Sequence, residues 1–365
     1  MKNNRLYLDI HILQTVPPSC VNRDDTGSPK TAMYGGAMRA RVSSQSWKRA
    51  VRTMFRDLLP NEALGVRTKK IVSMVANELR SLGLEINPEE SAKRILENAG
   101  LKIKSIEKGT DALFFLSFAQ AKALARLALE CPDILSDKAS KESKEKSHYA
   151  LKQFPGIDVA LFGRMVADDP SLNNDACVQV AHSISTHKIN NEYDYFTAVD
   201  DMSDEDEAGA GHIGTVEFNS STLYRYATVA VHELNRQLAD ETINAVLCFV
   251  KAFVSSMPTG KQNTFANRTL PDALLITLRK DQPINFVGAF EKPISASDEG
   301  YVAASAKRLT AHVMSVYKSF AKEPVRSLVT GELLSALGTV QPLEDLIKTL
   351  KDAIREQMSD SGGLQ

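Results

Sequence analysis

The sequence predicts an α+β protein in which a helical lobe is inserted between the strands of one domain. Three observations predict this fold class. Apolar and polar residues alternate over residues 6–13, which is typical of a strand. Residues 61–181 instead show mostly helical spacing of their apolar side chains. Strand-like alternation returns over 214–231 and 272–279, so strand-rich segments enclose the helical region.

The first strand, over residues 6–13, is predicted to be buried on one face only. Its apolar side chains occupy alternate positions, namely Leu6, Leu8, Ile10 and Ile12. The side chains between them include Asp9 and His11, which are therefore expected on the more exposed face. Residues 15–36 follow as a long loop rich in Pro, Gly, Asn and Asp, and such a length is uncommon unless the loop binds something.

A helix begins after this loop. Ser43 or Ser44 can cap its N-terminus, and Pro60 ends it. Its apolar face consists of Trp47, Val51, Met54, Phe55 and Leu58. The basic residues of the helix fall mostly off that face, so the helix is predicted to expose a positively charged surface.

The rest of the chain continues in the same mixed pattern. The clearest helices are predicted over 69–83, 89–100, 115–131, 242–258, 301–321 and 341–358. The Lys-rich stretch 136–148 is predicted to be exposed and mobile, and 176–189 is either a helix end or a buried strand. Six acidic residues crowd positions 200–207, so residues 198–215 are expected to protrude as a loop.

The composition predicts a globular cytoplasmic protein. Of its 365 residues 43% are apolar, yet no apolar run approaches the roughly 20 residues that a membrane helix needs. The N-terminus alternates instead of forming the apolar core of a secretory signal. The four cysteines are scattered and include no Cys-x-x-Cys, so neither disulfides nor a cysteine-bound metal are expected.

The net charge of −1 hides an uneven distribution. Residues 1–59 contain ten Lys or Arg and four Asp or Glu, a net charge of +6, so the remaining chain carries −7. Clustering of one sign matters more for the choice of partner than the total does. A near-neutral protein with one basic segment is compatible with binding an anionic polymer.

No motif of a catalytic class is present in the sequence. It lacks Gly-x-Gly-x-x-Gly, a phosphate-binding loop, Gly-x-Ser-x-Gly and His-Glu-x-x-His. The seven histidines are scattered, and His182 and His187 are five residues apart, which suits neither a helix face nor a strand as metal ligands. Asp24 and Asp25 could hold a divalent cation, although an acidic pair in a loop is more typical of a turn. No cofactor is predicted.

The basic loop and helix suit phosphate binding. Arg23, Lys30, Arg39 and Arg41 precede the helix, and Lys48, Arg49 and Arg52 follow its start. The free N–H groups and the dipole of a helix N-terminus attract anions, and the hydroxyl and amide side chains of 43–46 add further donors. On the residues alone, this segment is either a nucleic-acid interface or the solvated face of an ordinary capped helix.

Several longer blocks occur together and in one order. They are PSCVNRDD at 18–25, YGG at 34–36, VSSQSWKRAVR at 42–52, DVALFGRM at 158–165, AHSISTHKINNEYDYFTAVDD at 181–201, HIGTVEFNSSTLYRYA at 212–227 and TGKQNTFA at 259–266. With them, the chain resembles the CasC family, the backbone subunits of the type I-E CRISPR surveillance complex Cascade. The resemblance covers residues 5–293, with 60–150 and the C-terminus more divergent.

The resemblance implies a hand-shaped fold. Its palm is similar to an RNA-recognition (ferredoxin-like) domain, interrupted by a helical finger lobe and a protruding thumb loop. The implied divisions are palm 1–59, finger lobe 60–181, palm and thumb base 182–197, thumb loop 198–215, second part of the palm 216–325 and C-terminal helical segment 326–365.

The resemblance also implies a non-catalytic function and its partners. About six copies stack head-to-tail along a guide RNA, together with other Cascade subunits, so that the guide can pair with target DNA in antiviral defence. The alternative is an RNA-cleaving palm-domain enzyme that uses Asp24 or a palm histidine.

The resemblance also implies site residues, assigned to the matching positions of this sequence. The guide-binding residues are Arg23, Lys30, Arg41, Ser43, Ser44, Gln45, Ser46, Lys48, Arg49, Arg52, Lys261 and Gln262. Bases are displaced by finger and thumb residues Arg164, Met165, Phe196 and Thr197. Target DNA is contacted by Lys138, Lys141 and Lys144. Without the resemblance, Met165 would be interpreted as a core methionine.

Overall fold

The computed structural model describes residues 5–166, 168–198 and 212–360. Most of the predicted thumb loop, residues 199–211, therefore lies outside the described residues. The strands are β1 Tyr7–Ser19, β2 Thr31–Tyr34, β3 Ala37–Val42, β4 Gly65–Thr68, β5 Ile103–Ser105, β6 Gly109–Thr110, β7 Phe114–Ser117, β8 Val178–Val180, β9 Ser183–Ser185, β10 Glu192–Ala198, β11 His212–Ala230, β12 Ala273–Arg279, β13 Arg326–Thr330 and β14 Thr339–Val340.

The α-helices alternate with these strands along the chain. They are α1 Ser44–Leu58, α2 Ile71–Ser81, α3 Pro88–Asn98, α4 Phe118–Glu130, α5 Lys141–Lys152, α6 Ile157–Phe162, α7 Val231–Leu238, α8 Thr242–Ser255, α9 Gln262–Phe265, α10 Gly300–Ser319 and α11 Leu343–Asp360. None of the helices in the described residues is long and apolar enough to cross a membrane.

The chain forms two compact units. The first consists of residues 1–51, 180–228 and 250–365, and the second of 52–179 and 229–249. The chain thus leaves the first unit within α1, returns to it at Val180, leaves it again within β11 and returns within α8. Residues 229–249 belong to the second unit, whereas the sequence assigned them to the palm. The names palm, finger lobe and thumb stay predictions.

One long sheet organises the first unit. Its strands follow the order β14–β13–β12–β1–β11–β9–β3–β2, and β10 pairs with β11 beside this path. β1 and β12 are antiparallel, with Ile10 opposite Ile276, and β12 and β13 are antiparallel, with Ile276 opposite Leu328. β3 joins through β9, where Arg41 lies opposite Ile184. The sheet thereby brings the basic N-terminal segment beside residues 183–185.

The prediction that β1 is buried on one face is wrong. Asp9 and His11 are fully buried together with Leu8, Ile10 and Ile12. The His11 ring packs against Phe286 at 4.8 Å between ring centroids, and the Asp9 carboxylate accepts hydrogen bonds from the Tyr226 hydroxyl and the Ile284 N–H, each at 2.9 Å. The segment around 284–290 covers this face, a packing that alternation within one strand cannot reveal.

The second unit has its own helical core. α2, α3 and α4 bury Ile71, Val75, Leu96, Leu124 and further apolar residues around one centre. Within residues 61–181 the chain also forms two small sheets, β4–β7 and β5–β6. The predicted mobile stretch 136–148 instead contains the start of α5, because the Ser140 hydroxyl accepts from the Ser143 N–H and caps the helix.

Three other segments differ from the expectation. The predicted loop 15–36 contains the end of β1 and the whole of β2, which forms a hairpin with β3. Residues 176–189 form the two strands β8 and β9. The α-helix of the C-terminal segment begins only at Leu343, because residues 326–330 extend the sheet as β13. Apart from β2, these strands are paired by distant segments, so their own sequences give a weak signal.

The buried pair Asp9 and His11 generates a testable dependence on pH. Burial raises the pKa of Asp9 from an ordinary value of 3.8 to about 6, and burial lowers the pKa of His11 from 6.5 to about 3. Between pH 6 and 4, protonation of folded Asp9 adds about 1.4 kcal/mol per pH unit to the free energy of unfolding as the pH falls. Protonation of His11 in the unfolded chain removes about as much, so the two effects nearly cancel.

Asp9→Asn removes only the stabilising effect. We expect its free energy of unfolding to fall with acidification by about 1.4 kcal/mol per pH unit more than that of the wild type. Urea unfolding at pH 6, 5 and 4 measures the difference, with the exposed Asp240→Asn as the control. Parallel curves for wild type and Asp9→Asn would contradict the burial of an ionisable carboxyl here.

Candidate nucleic-acid interface

Hydrogen bonds fix the basic loop to the start of α1. The Asn22 side-chain oxygen accepts from the Ser43 N–H at 2.9 Å, and the Asn22 carbonyl accepts from the Lys30 N–H at 2.8 Å. The Lys30 carbonyl in turn accepts from the Arg41 N–H at 2.9 Å. The two ends of the loop 22–30 are therefore held against β3 and the helix, which places Lys30 and Arg41 together.

The turn within this loop uses the Asp24 carboxylate. One Asp24 oxygen accepts from the Thr26 hydroxyl at 2.7 Å and from the N–H groups of Thr26 and Ser28 at 3.0 Å. The Thr26 hydroxyl and these backbone donors lower the pKa of Asp24. In the residues that the structure describes, no three His, Cys, Asp or Glu side chains are grouped as a metal site. Asp24 is therefore placed as a turn residue.

Arg41 is the centre of a cationic cluster. Its Nε donates to the Thr31 carbonyl at 3.0 Å, and its guanidinium lies 3.2 Å from His182 Nδ1. Partial burial and the charges of Arg41 and Lys30 lower the pKa of His182. A neutral His182 accepts a hydrogen bond from Arg41 and does not repel it. His182 was not among the predicted guide-binding residues, and its only signal was its position one residue before a short strand that pairs with β3.

A second loop of the first unit brings Lys261 close to the loop 22–30. A side chain on Gly260 would come within 2.1 Å of the Val21 carbonyl, so glycine allows this loop to pack directly on residues 20–21. Burial raises the pKa of Cys20, while the charges of Arg23 and Lys261 oppose that shift. The predicted residues Arg23 and Lys261 thus lie around one buried thiol. Lys261 and Gln262 are half-exposed.

The start of α1 has both a cap and an anchor. The Ser43 carbonyl accepts from the Ser46 and Trp47 N–H groups at 3.0 and 3.2 Å, and the buried Trp47 indole donates to the Ser183 hydroxyl at 2.8 Å. The Arg225 guanidinium lies 3.7 Å from the centre of the Trp47 ring and 4.5 Å from that of Phe253. This stack fixes the helix in the first unit and so fixes the direction of its free N–H groups.

The predicted residues on α1 do not share one environment. Ser43 is buried, Ser44, Ser46 and Lys48 are half-buried, and Gln45 and Arg49 are exposed. The Arg52 Nε lies 3.4 Å from the Asp158 carboxylate, and its guanidinium is 4.4 Å from the centre of the Phe115 ring. Arg52 therefore has a structural partner inside the second unit, which was not expected of a guide-binding residue.

Arg39 also has a structural role. It is fully buried and donates to the carbonyls of Ser185, Phe290 and Glu291 at 2.9–3.2 Å. One of the ten basic residues counted in the N-terminal segment therefore contributes to packing and not to the exposed charge.

Met165 lies on a hydrogen-bonded loop. It is 82% exposed, although its neighbours Arg164 and Val166 are buried. Arg164 exchanges two backbone hydrogen bonds with Asn174, and the Val166 N–H donates to the Asn173 side chain at 2.6 Å. The alternative interpretation as a core methionine is wrong. Arg164 points inward to the carbonyls of Phe115, Leu151 and Leu172, so it positions the loop and does not itself face solvent.

Phe196 and Thr197 lie on opposite faces of the β10–β11 hairpin. Phe196 is paired with Gly214, and a side chain on that glycine would come within 2.4 Å of the Phe196 ring. The same face carries Phe218, whose ring packs 5.7 Å from Phe265 in the loop that holds Lys261. Thr197 is paired with Ile213 on the other face. The hairpin thus connects the predicted thumb base to the Lys261 loop within the first unit.

The predicted DNA-contacting lysines are exposed in the second unit. Lys138 precedes α5, whereas Lys141 and Lys144 lie on it. Lys141 is 3.8 Å from Glu145 in a solvent-exposed pair that costs little to break. These lysines are accessible, and their contact with DNA stays a prediction.

The fold and this site define a class of protein: a mixed α+β chain whose main sheet carries clustered basic side chains suited to binding phosphates. The chain belongs to the CT1975-like protein family, whose model matches residues 8–356.

Solved structures agree with this assignment. The chain is similar to a chain of a "CRISPR RNA-guided surveillance complex, pre-nicking", with 36% identity and a TM-score of 0.82 over 95% of this chain and 99% of that one. It is also similar to a chain of a "CRISPR RNA-guided surveillance complex", with 29% identity and a TM-score of 0.62 over the same shares. No curated protein matches. The likeness confirms the mixed α+β class.

The Arg225 stack predicts a large effect of a conservative substitution. Arg225→Lys keeps the buried charge but loses the planar stacking and the paired hydrogen bonds to Gln14 and Phe253. We expect the free energy of unfolding to fall by about 2–4 kcal/mol. The exposed Arg236→Lys, at a surface pair with Glu233, should change it by less than about 0.5 kcal/mol. Equal losses in urea unfolding would refute the anchoring role.

Proposed function

We propose that this chain is a non-catalytic backbone subunit that binds guide RNA in a type I-E CRISPR surveillance complex. The observation that carries the proposal is the match to a chain of a CRISPR RNA-guided surveillance complex, at 36% identity over nearly the full length of both chains. The cationic cluster around Arg41 and the anchored helix start supply the chemistry that the role requires.

The guide backbone binds along the basic segment. Lys30, Arg41 and Lys261 supply charge, and the N–H groups and side chains at the start of α1 donate to phosphates. Since these contacts go to the backbone, any guide sequence can be held, and base pairing reads the target. The chain does so in the cytoplasm, with other copies of itself and other subunits of the complex.

Met165 and Phe196 displace bases of the bound guide. A flexible thioether exposed on a hydrogen-bonded loop can insert beside a base, and an aromatic ring held over Gly214 offers a flat surface. Displacement at intervals leaves short guide segments that pair with target DNA, and Lys138, Lys141 and Lys144 contact the DNA backbone. Arg164 acts as a positioning residue, because its guanidinium holds the loop from inside.

The salt dependence of guide binding tests the phosphate contacts. Lys48→Ala/Arg49→Ala should flatten the plot of log affinity against log salt concentration by roughly 1.4, or about 0.7 for each lost contact on single-stranded RNA. Arg52→Ala is the matched control on the same helix. Because Arg52 is bonded to Asp158, its loss should lower the melting temperature and leave the slope nearly unchanged. An unaltered slope in the double variant would contradict this placement of the guide.

The fluorescence of 2-aminopurine tests base displacement. This base analogue brightens when it is unstacked, so a guide carrying it at successive positions should show periodic bright positions on binding. Met165→Ala and Phe196→Ala should reduce that brightness and leave the salt slope unchanged. Met314→Ala, which alters another exposed methionine, is the control. Uniform fluorescence along the wild-type complex would rule out regular displacement.

Few of the proposed catalytic residues are available for the alternative function, RNA cleavage. Asp24 holds its turn, His11 is buried, and His187 is stacked on Tyr301 with 3.7 Å between ring centroids. His182 is the exposed candidate. Incubation with guide and complementary RNA, with and without Mg²⁺, separates the two functions. Cleavage that is lost in Asp24→Asn or His182→Ala would overturn the non-catalytic proposal.

A further inference from the structure

The second unit contains an open groove between α4 and α5 that the proposed function does not use. Its volume is about 590 Å³, within the range of small-ligand sites. Its basic and aromatic lining consists of Lys122, Arg126, Lys146, Tyr149 and Phe154. The groove is wide because residues 119, 123 and 150 at its base are alanines, whose small side chains leave the space between the helices unfilled.

Two large aromatic side chains are exposed at this groove. Tyr149 is 62% exposed and Phe154 is 63% exposed. Phe154 also has a left-handed backbone, with φ of 53°, a conformation that is unfavourable for a bulky residue. The Ser117 hydroxyl, at the N-terminus of α4, donates to the Phe154 carbonyl at 2.9 Å and holds it there. Glycine would suit this backbone better, so the aromatic side chain is retained at a cost in stability.

The charge of the groove is positive. Lys122 and Arg126 are exposed one helical turn apart on α4, and Lys146 faces them from α5. Glu130 is the single carboxylate among the groove's described lining residues. Lys146 is also paired with Glu142 outside the lining, at 2.7 Å. Cations beside exposed aromatic faces are the combination that binds single-stranded nucleic acid, since phosphates pair with the cations and bases stack on the rings.

This groove is separate from Lys144, one of the lysines expected to contact target DNA. Helix geometry places Lys144 roughly 140–160° around α5 from Tyr149 and Lys146. A ligand in the groove therefore contacts a different side of the helix.

We propose that the α4–α5 groove binds a single-stranded polynucleotide, with an unpaired base stacked on Tyr149 and Phe154 and its phosphates bound by Lys122 and Arg126. A duplex fits the groove less well because its base faces are already stacked on one another. The proposal goes beyond the guide-binding function, because the groove shares no residue with the guide-binding segment.

Photo-crosslinking and anisotropy with the full chain test the proposal. The probes are short oligothymidylate and oligouridylate carrying a halogenated base, a duplex of equal length and an oligoglutamate peptide. We expect both single strands to bind and to crosslink at Tyr149 or Phe154, as located by mass spectrometry. A preference for DNA or RNA identifies the source of the strand, and either supports the site. A preference for the duplex or the peptide overturns it.

Variants separate binding at the groove from folding and from guide binding. Phe154→Gly should weaken binding of the single strand at the groove about ten-fold, given the energy of stacking one base, without lowering the melting temperature, because it relieves the left-handed backbone. Lys122→Glu/Arg126→Glu should abolish the crosslink, whereas Lys102→Glu/Lys108→Glu, a matched change at exposed lysines of the same unit, should retain it.

Lys48→Ala/Arg49→Ala should also retain the groove crosslink, so a failure of the guide-binding proposal remains distinguishable. An unchanged crosslink in both Phe154→Gly and Lys122→Glu/Arg126→Glu would overturn the assignment.

Discussion

The buried guanidinium of Arg225 is the interaction on which the basic surface depends. It lies between the rings of Trp47 and Phe253 and donates to neutral acceptors, the Gln14 side chain and the Phe253 carbonyl. Burial lowers its pKa to about 9, because removing a charged group from water is unfavourable. Cation–π contacts of desolvated guanidinium groups are worth about 2 kcal/mol or more. One side chain thus links β1, β11, α1 and α8 within the first unit.

The consequence for function is preorganisation. The start of α1 is fixed by the hydrogen bond of the buried Trp47 indole and by the hydrogen bond of the Asn22 side chain to the Ser43 N–H. Its free N–H groups are therefore oriented before any ligand binds. When an anion binds, these N–H groups replace its water molecules, and they need not reorganise to do so. Met165 follows the same rule, because buried residues on both sides hold an exposed side chain in place. In both cases interior hydrogen bonds position a feature on the surface.

The basic residues of this protein form a buried group and an accessible group, and the local sequence does not distinguish the two. Arg39, Arg164 and Arg225 are buried and donate to carbonyls, whereas Lys30, Arg41 and Arg49 are accessible to differing degrees. Within the first 59 residues the buried Arg39 is offset by the buried Asp9, so the net charge of +6 stands although one of these arginines is not exposed. Arginine suits the buried role because its five donors can satisfy several acceptors at once and its plane can stack on aromatic rings.

The sequence by itself determined the α+β class, the main helices and the basic segment that leads into α1. Those features depend on local periodicity and on local charge, and both can be read from residues that are neighbours in the sequence. The tertiary structure alone decided that Asp9 and His11 are buried, that Arg52 pairs with Asp158, that His182 lies beside Arg41 and that Met165 is exposed. Each of these depends on a segment distant in the chain, and long-range packing is not encoded in the spacing of adjacent residues. The exposed aromatic groove between α4 and α5 likewise follows from how two helices pack, and no motif marks it.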